Sequence, residues 1–430
     1  MSKEMRNARI LAKDILVSND TRETGLNNND LIIGASGAGK TGGYVIPNIQ
    51  NMTGSLVVSD TKGSLEKRFA ESLKAQDYDV YTLDLVNPMR SWGYNPLKGV
   101  RHYEDGSYRE QDVLTLANTL MPSLDEREPF WEKAAASYLA FLIAYAMEAL
   151  PEAEQNMCSV CELHRIFIQK KGDLTFVKWV DAHPEGFCAK TYWKMRASMG
   201  ADKMWSSINE FANRALAPFD FKEAKHIFER SDSFDIRWLG QKKSVLFLNV
   251  SDTDRAFDDI VNVFYTQTLQ LLCSEADASP DGRLRVPVRI IMDDFATSAR
   301  IPDFDKVISV IRSREISVSL ILQSITQLES MYGEAPATTI INNCDHLLYL
   351  GCQDQKTAEF IGCRAYKTPE AVLCKPRDKA YLLTNGEKAR LVDKVKPYST
   401  LEPSQDTKKA QEDTLLWDEI FYDEEELPFP

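Results

Sequence analysis

No run of apolar residues in this chain is long enough to cross a bilayer. The longest, Tyr138 to Met147, is about half of the ~20 residues that a membrane helix needs. Met1 to Lys13 mixes charges with single aliphatics and has no apolar core, so it does not read as a secretory leader. A cytoplasmic protein is expected, and its eight cysteines are then read as reduced thiols. Positive charge is also in short supply. Lys and Arg number 51 against 64 Asp and Glu, a net charge of -13. That sign argues against a monomer that coats duplex DNA by bulk charge. Part of the imbalance sits at the C-terminus, where Leu401 to Pro430 holds ten acids and two lysines. With Pro403, Pro428 and Pro430, residues 401–430 read as an acidic flexible tail. Repeats and low-complexity blocks are absent. Cys158, Cys161 and His164 form a C-x-x-C-x-x-H cluster with no obvious fourth ligand nearby. It reads either as buried helix cysteines or as part of a zinc site.

What is present is an ordinary globular composition, 43% hydrophobic and 27% charged, which can bury a sizeable core. Asp30 to Ile33, Ser55 to Ser59 and Val80 to Leu83 read as strands, separated by a helix from Lys40 and another over Ser64 to Ala75. That alternation predicts βαβ units and a parallel sheet. From about Tyr108 to Arg230 the period changes. Trp131, Ala135, Leu139, Leu142 and Ala146 recur at helical spacing. Strands return at Ser244 to Asn249, Val288 to Met292, Ser317 to Leu322 and His346 to Leu350. The predicted fold is α/β: a doubly wound, mainly parallel sheet interrupted by an all-α insertion domain. Residues 1–105 and 236–400 form the discontinuous nucleotide-binding domain, and 106–235 the insertion.

Gly34, Ala35, Ser36, Gly37, Ala38, Gly39, Lys40 and Thr41 match the phosphate-loop pattern G-x-x-x-x-G-K-[ST] in full. Glycines let backbone N–H groups turn inward around phosphates, and the following helix presents its positive end to them. Lys40 is expected on the β- and γ-phosphates of ATP and Thr41 on Mg²⁺. Such a site needs acids on a neighbouring strand. Val288 to Met292 ends in Asp293, assigned to Mg²⁺, and Asp294, assigned to the attacking water; a solvated acid pair is the plainer reading. Gln323 closes the next strand, where an amide can sense the γ-phosphate or simply face water. Arg312 and Arg314 precede that strand. Each is either an arginine finger for a neighbour's site or part of a solvated helix face.

Taken together, these residues resemble the type IV coupling proteins, the TraG/TraD-type conjugative DNA-transfer ATPases. Further segments carry the likeness: Val45-Ile46-Pro47-Asn48 after the loop, Asp60-Thr61-Lys62-Gly63-Ser64 against a D-P-K-G-E signature, and Tyr94-Asn95-Pro96-Leu97. Pro129-Phe130-Trp131-Glu132-Lys133-Ala134-Ala135, Asp293-Asp294-Phe295-Ala296, Gln323-Ser324 with Gln327-Leu328, and Asn343 with Thr357, Ala358 and Gly362 extend it from Asn29 to Tyr398. Thr61 and Ser64 depart from the signature, and Asp294 stands where the family has Glu. The resemblance implies a RecA-like fold, a homo-hexameric ring with ATP between subunits, and single-stranded DNA attached to a relaxase as cargo. Type IV secretion ATPases and inner-membrane channel components are the implied partners, at the inner face of the cell membrane. The isolated chain is either a hexamer or a monomer. Lys62 is one candidate for a pore-loop grip, against an ordinary turn lysine. A FtsK/HerA-like translocase, a cargo receptor with little ATP turnover and a small-molecule kinase are the rival readings.

Overall fold

The computed structural model describes residues 7–122, 130–169, 171–196, 199, 202–230, 232–251, 253–295 and 300–396. The tail 401–430, Pro129 and Ala296 lie outside the described residues. Among the described residues eleven strands form: β1 (Ala8–Ala12), β2 (Ile15–Ser18), β3 (Asp30–Gly34), β4 (Ser55–Asp60), β5 (Asp79–Asp84), β6 (Ser244–Asn249), β7 (Val288–Met292), β8 (Ile316–Leu322), β9 (His346–Gly351), β10 (Lys379–Thr384) and β11 (Arg390–Asp393). The first two make a separate hairpin. The other nine make one sheet in the order β11-β10-β9-β3-β8-β7-β4-β6-β5. From β9 to β5 every pairing is parallel, and only β10 and β11 run antiparallel at one edge.

The central strands are near-continuous apolar runs because both sheet faces are covered. β3, β4, β6 and β8 are buried from end to end. Alternate residues feed opposite cores. Leu31 and Ile33 join the larger cluster, which continues into the helices between β5 and β6. Ile32 joins the smaller one with Tyr44, Val58, Phe69 and Phe247. The predicted doubly wound sheet is what forms.

From Glu110 to Phe228 the described regular elements are all helices. The helix Phe130–Ala149 runs through their centre, with Tyr138, Leu139, Phe141, Leu142 and Ile143 fully buried. On the helix Met157–Phe167, Cys158 Sγ lies 3.4 Å from the Phe219 carbonyl and Cys161 Sγ 3.6 Å from that of Leu216. His164 uses both ring nitrogens, on the Tyr138 hydroxyl at 2.8 Å and Asn213 Oδ1 at 2.9 Å. Burial pushes the Cys158 thiol up to about 12, away from the thiolate a metal requires. Packing of a buried helix face accounts for all three side chains.

Two details differ from the sequence reading. The helix expected from Lys40 opens instead as a π-turn over Thr41–Val45 before the α-helix Ile46–Gln50. Pro47 has no N–H to complete an α-turn, and the wider turn lets Ile46 N–H reach the Thr41 carbonyl. The hairpin β1–β2 was not foreseen. Its Arg9 interrupts the apolar run yet is only 2% exposed, because it forms an ion pair with Asp30.

Candidate nucleotide site

Parallel strands all end on one edge of the sheet, and that edge gathers Gly34, Asp60, Asp293, Gln323 and Gly351. The loop after β3 takes a shape that only glycine adopts readily at two points. Gly37 has φ +75° and Gly39 φ +93°, both in the left-handed region. Gly34 is constrained by space instead. A Cβ there would sit 3.0 Å from Ala38 Cβ and 3.1 Å from Leu350 Cβ. The Ala35 N–H donates to the Gly351 carbonyl at 2.8 Å, which ties the loop to β9.

The two functional ends of the loop meet the two downstream acids. Thr41 Oγ1 donates to Asp293 Oδ2 at 2.8 Å. Lys40 Nζ donates to the Gly34 carbonyl at 2.9 Å and lies 3.6 Å from Asp294 Oδ1. Burial pushes the Asp293 carboxyl above its ordinary range, and the Thr41 bond opposes that shift. Asp293 is seated by β4: its N–H donates to Ser59 Oγ at 2.7 Å. Asp294 bends away in the left-handed region at φ 49°, a conformation costing roughly 1 kcal/mol that turns its carboxylate toward Lys40. A hydroxyl beside a carboxylate is a hard-oxygen pair that suits Mg²⁺ and leaves its other positions to phosphate and water.

The acids are not on a strand next to β3, as the sequence reading had it. β8 lies between β3 and β7, so Thr41 meets Asp293 across the end of an intervening strand. That places Gln323, directly after β8, between the loop and the acid pair. Gln323 is half-buried, and its N–H donates to Gln327 Oε1 at 3.1 Å. Arg312 and Arg314 precede β8 and so occupy the opposite edge. Arg312 Nη2 donates to the Gly25 carbonyl at 2.7 Å, and Arg314 pairs with Asp277 at 2.7 Å. Neither reaches this chain's own loop. Lys62 is exposed on the turn after β4, where Asp60 accepts from the Lys62 N–H at 3.3 Å and the Leu65 N–H at 2.6 Å.

The family described as type IV secretory system conjugative DNA transfer matches residues 2–368. The chain belongs to that family. Protein VirD4 of Agrobacterium fabrum (strain C58) is 19% identical over 335 residues, which are 77% of this chain and 48% of VirD4. The chain thus spans about half the length of that relative. The unbound conjugative coupling protein TrwBdeltaN70 superposes with a TM-score of 0.68 at 16% identity, covering 94% of this chain and 92% of that one. TrwB in complex with ADP and Mg²⁺ gives 0.65 at 16% identity, with 87% of each chain covered. This likeness establishes the fold, a RecA-like α/β domain. Among the described residues, no helix of this family member is long and apolar enough to cross a membrane.

Sequence reasoning missed the other wall of the site. A cleft of about 700 Å³ opens from the loop toward β9, β10 and β11, between Ala35–Gly39 and a group including Lys375, Arg377, Asp378 and Lys394. Lys394 Nζ donates to the Ala38 carbonyl at 3.1 Å. Burial, reinforced by Lys394, pushes Lys375 down to about 8. Its Nζ donates to the Leu350 and Lys379 carbonyls at 2.7 and 2.8 Å. The cleft's size suits a nucleoside. No local motif marks these lysines; the antiparallel edge strands bring them to the loop.

Proposed function

We propose that this chain is the ATP-driven motor of a type IV secretion coupling protein. It recruits relaxase-bound single-stranded DNA, or protein cargo, and drives it into the conjugation channel. The observation that carries this reading is the 2.8 Å contact between Thr41 and Asp293, which joins the phosphate loop to the downstream acid. In this reading the backbone of Gly34 to Gly39 cradles the phosphates, and the cleft beside Lys394 takes the nucleoside. Thr41 and Asp293 hold Mg²⁺, which when bound neutralises charge on the β- and γ-phosphates. Lys40 is drawn from Asp294 to the γ-phosphate, leaving the Asp294 carboxylate to orient water. Gln323 senses the γ-phosphate from between them. Arg312 or Arg314 serves the neighbouring subunit of a six-membered ring, consistent with its place at the far edge of the sheet. Residues 106–235 form the all-α cargo-facing domain.

Asp294 favours a second reading, a receptor that keeps ATP as a structural ligand. Its side chain is one methylene shorter than Glu and already engaged with Lys40. ATP hydrolysis with and without single-stranded DNA separates the two. The motor predicts a DNA-stimulated rate that falls about a hundredfold or more in Lys40→Ala and Asp294→Asn, with ATP binding kept in the latter. A rate indifferent to DNA and to Lys40→Ala would sink the motor and leave the receptor. Mass measurement with an ATP analogue and single-stranded DNA tests the ring.

A further inference from the structure

A cavity of about 270 Å³ lies at the opposite edge of the sheet, at the first residues of β4, β7 and β8. Five guanidinium side chains line it: Arg9, Arg22, Arg283, Arg289 and Arg312. Two carboxylates share the lining. Glu315 is spent on Arg283, and Asp20 accepts the Arg22 backbone N–H at 2.8 Å. Behind the wall, Asp30 is a single negative charge between two guanidiniums. Arg9 Nε donates to its two oxygens at 3.0 and 2.9 Å, and Arg289 Nη1 to one of them at 3.2 Å. The other titratable neighbour, His346, accepts from Arg9 Nη2 at 2.9 Å through Nδ1, and burial lowers its pKa, so it stays neutral. Tyr44, whose hydroxyl donates to Asp30 at 2.6 Å, is neutral as well.

The cluster therefore retains one positive charge in excess. Arg9 and Asp30 are sealed at 2% and 1% exposure, whereas Arg289, at 13%, is where that excess meets the cavity. Arg9 has committed its donors to Asp30, Ser18, Asn28 and His346. Arg289 has committed Nη1, whereas among the described residues its Nη2 meets Asn19 Oδ1 at a long 3.4 Å. Arg22 is exposed, and its guanidinium has no hydrogen bond or ion pair among the described residues. A desolvated surplus of positive charge is costly unless an anion offsets it. Guanidinium forks match phosphoryl oxygens in planar, two-point fashion. The volume admits one or two phosphoryl groups rather than a whole nucleotide.

We propose that this arginine-lined cavity is a second anion site, one that takes phosphoryl groups at the edge of the sheet remote from the phosphate loop. The phosphoryl group comes either from the backbone of a nucleic acid strand or from a free polyphosphate. Calorimetric titration of inorganic pyrophosphate into the full chain carrying Lys40→Ala, at fixed ionic strength, separates this cavity from the loop. One saturable site is expected. Its affinity falls about tenfold or more when Arg22→Gln is added, the loss of one charge-assisted contact. Arg22→Gln removes an exposed side chain without partners among the described residues, so the fold survives it; Arg289→Gln is the second, stronger variant. A short thymidine oligonucleotide that displaces pyrophosphate assigns the site to nucleic acid backbone. One that leaves pyrophosphate in place assigns it to free polyphosphate. Absence of saturable pyrophosphate binding, or an affinity unchanged by both arginine variants, overturns the proposal.

Discussion

Asp30→Asn is expected to loosen the strand that leads into the phosphate loop. The carboxylate accepts from Arg9 at 3.0 and 2.9 Å, from Arg289 at 3.2 Å and from the Tyr44 hydroxyl at 2.6 Å. Tyr44 belongs to the π-turn directly after the loop, so Asp30 pins both flanks of the loop together. An amide keeps one oxygen for Tyr44 but leaves two buried guanidiniums without counter-charge. Removing one partner of a buried ion pair costs about 3–5 kcal/mol. The retained oxygen puts the expectation near the lower end, about 3 kcal/mol, or roughly a hundredfold in an opening equilibrium. A chain of this size need not unfold in one step, so local amide exchange is the better assay than a global melt. β3 and the helix Ile46–Gln50 should exchange roughly a hundredfold faster in Asp30→Asn. The penalty should shrink in an Arg9→Met background, where less positive charge is left exposed to the loss. Acid gives a further check. Burial pushes the Asp30 carboxyl upward, but Arg9 and Arg289 outweigh it and hold it below its ordinary value of 3.8. Its stabilisation is therefore complete above about pH 3.8 and disappears as pH falls through the lowered folded value. Exchange within threefold of the parent, or a penalty indifferent to Arg9→Met, would refute the assignment of Asp30 as the counter-charge.

Thr41→Ala removes the hydroxyl that meets Asp293 at 2.8 Å, so nucleotide affinity measured by fluorescent-analogue titration should drop about tenfold or more with Mg²⁺ present and little without it. Gly54→Ala places a methyl 2.3 Å from the Pro287 carbonyl oxygen, where β4 and β7 begin to pair; a loss of about 1–3 kcal/mol in urea unfolding is expected, and a neutral result would mean that the backbones part easily. Burial lowers the pKa of His164 below 6.5, so its contribution to stability is full above about pH 6.5 and is lost as pH falls through the depressed folded value. His164→Gln should reduce, without abolishing, the stability lost between neutral pH and pH 5, because His346 is shifted in the same direction.

The parts of this molecule legible in the sequence are those governed by local chemistry. Glycines at positions 37 and 39 are demanded by positive φ, and the apolar runs of β3, β4, β6 and β8 follow from burial on both faces. What escaped depends on partners distant in the chain. No local pattern marks Arg9 as buried, because its counter-charge, Asp30, lies 21 residues on and its imidazole neighbour, His346, 337 residues on. No local pattern marks Lys394, because the antiparallel turn from β10 into β11 is what carries it back to Ala38, 356 residues away in sequence. The strand order was hidden for the same reason. Nothing in Ile316 to Leu322 says that it inserts between β3 and β7 rather than beside them, since any apolar parallel strand fits either slot. The insertion has a chemical consequence. With β8 in between, the loop must arch over a strand end to bring Thr41 to Asp293, and the residue following that strand is Gln323. Substituting Gln323 by Ala should therefore weaken the sensing of the γ-phosphate more than the binding of ADP, a contrast that comparative titration of ATP analogue and ADP measures. Equal losses for the two nucleotides would place Gln323 outside the phosphate's reach.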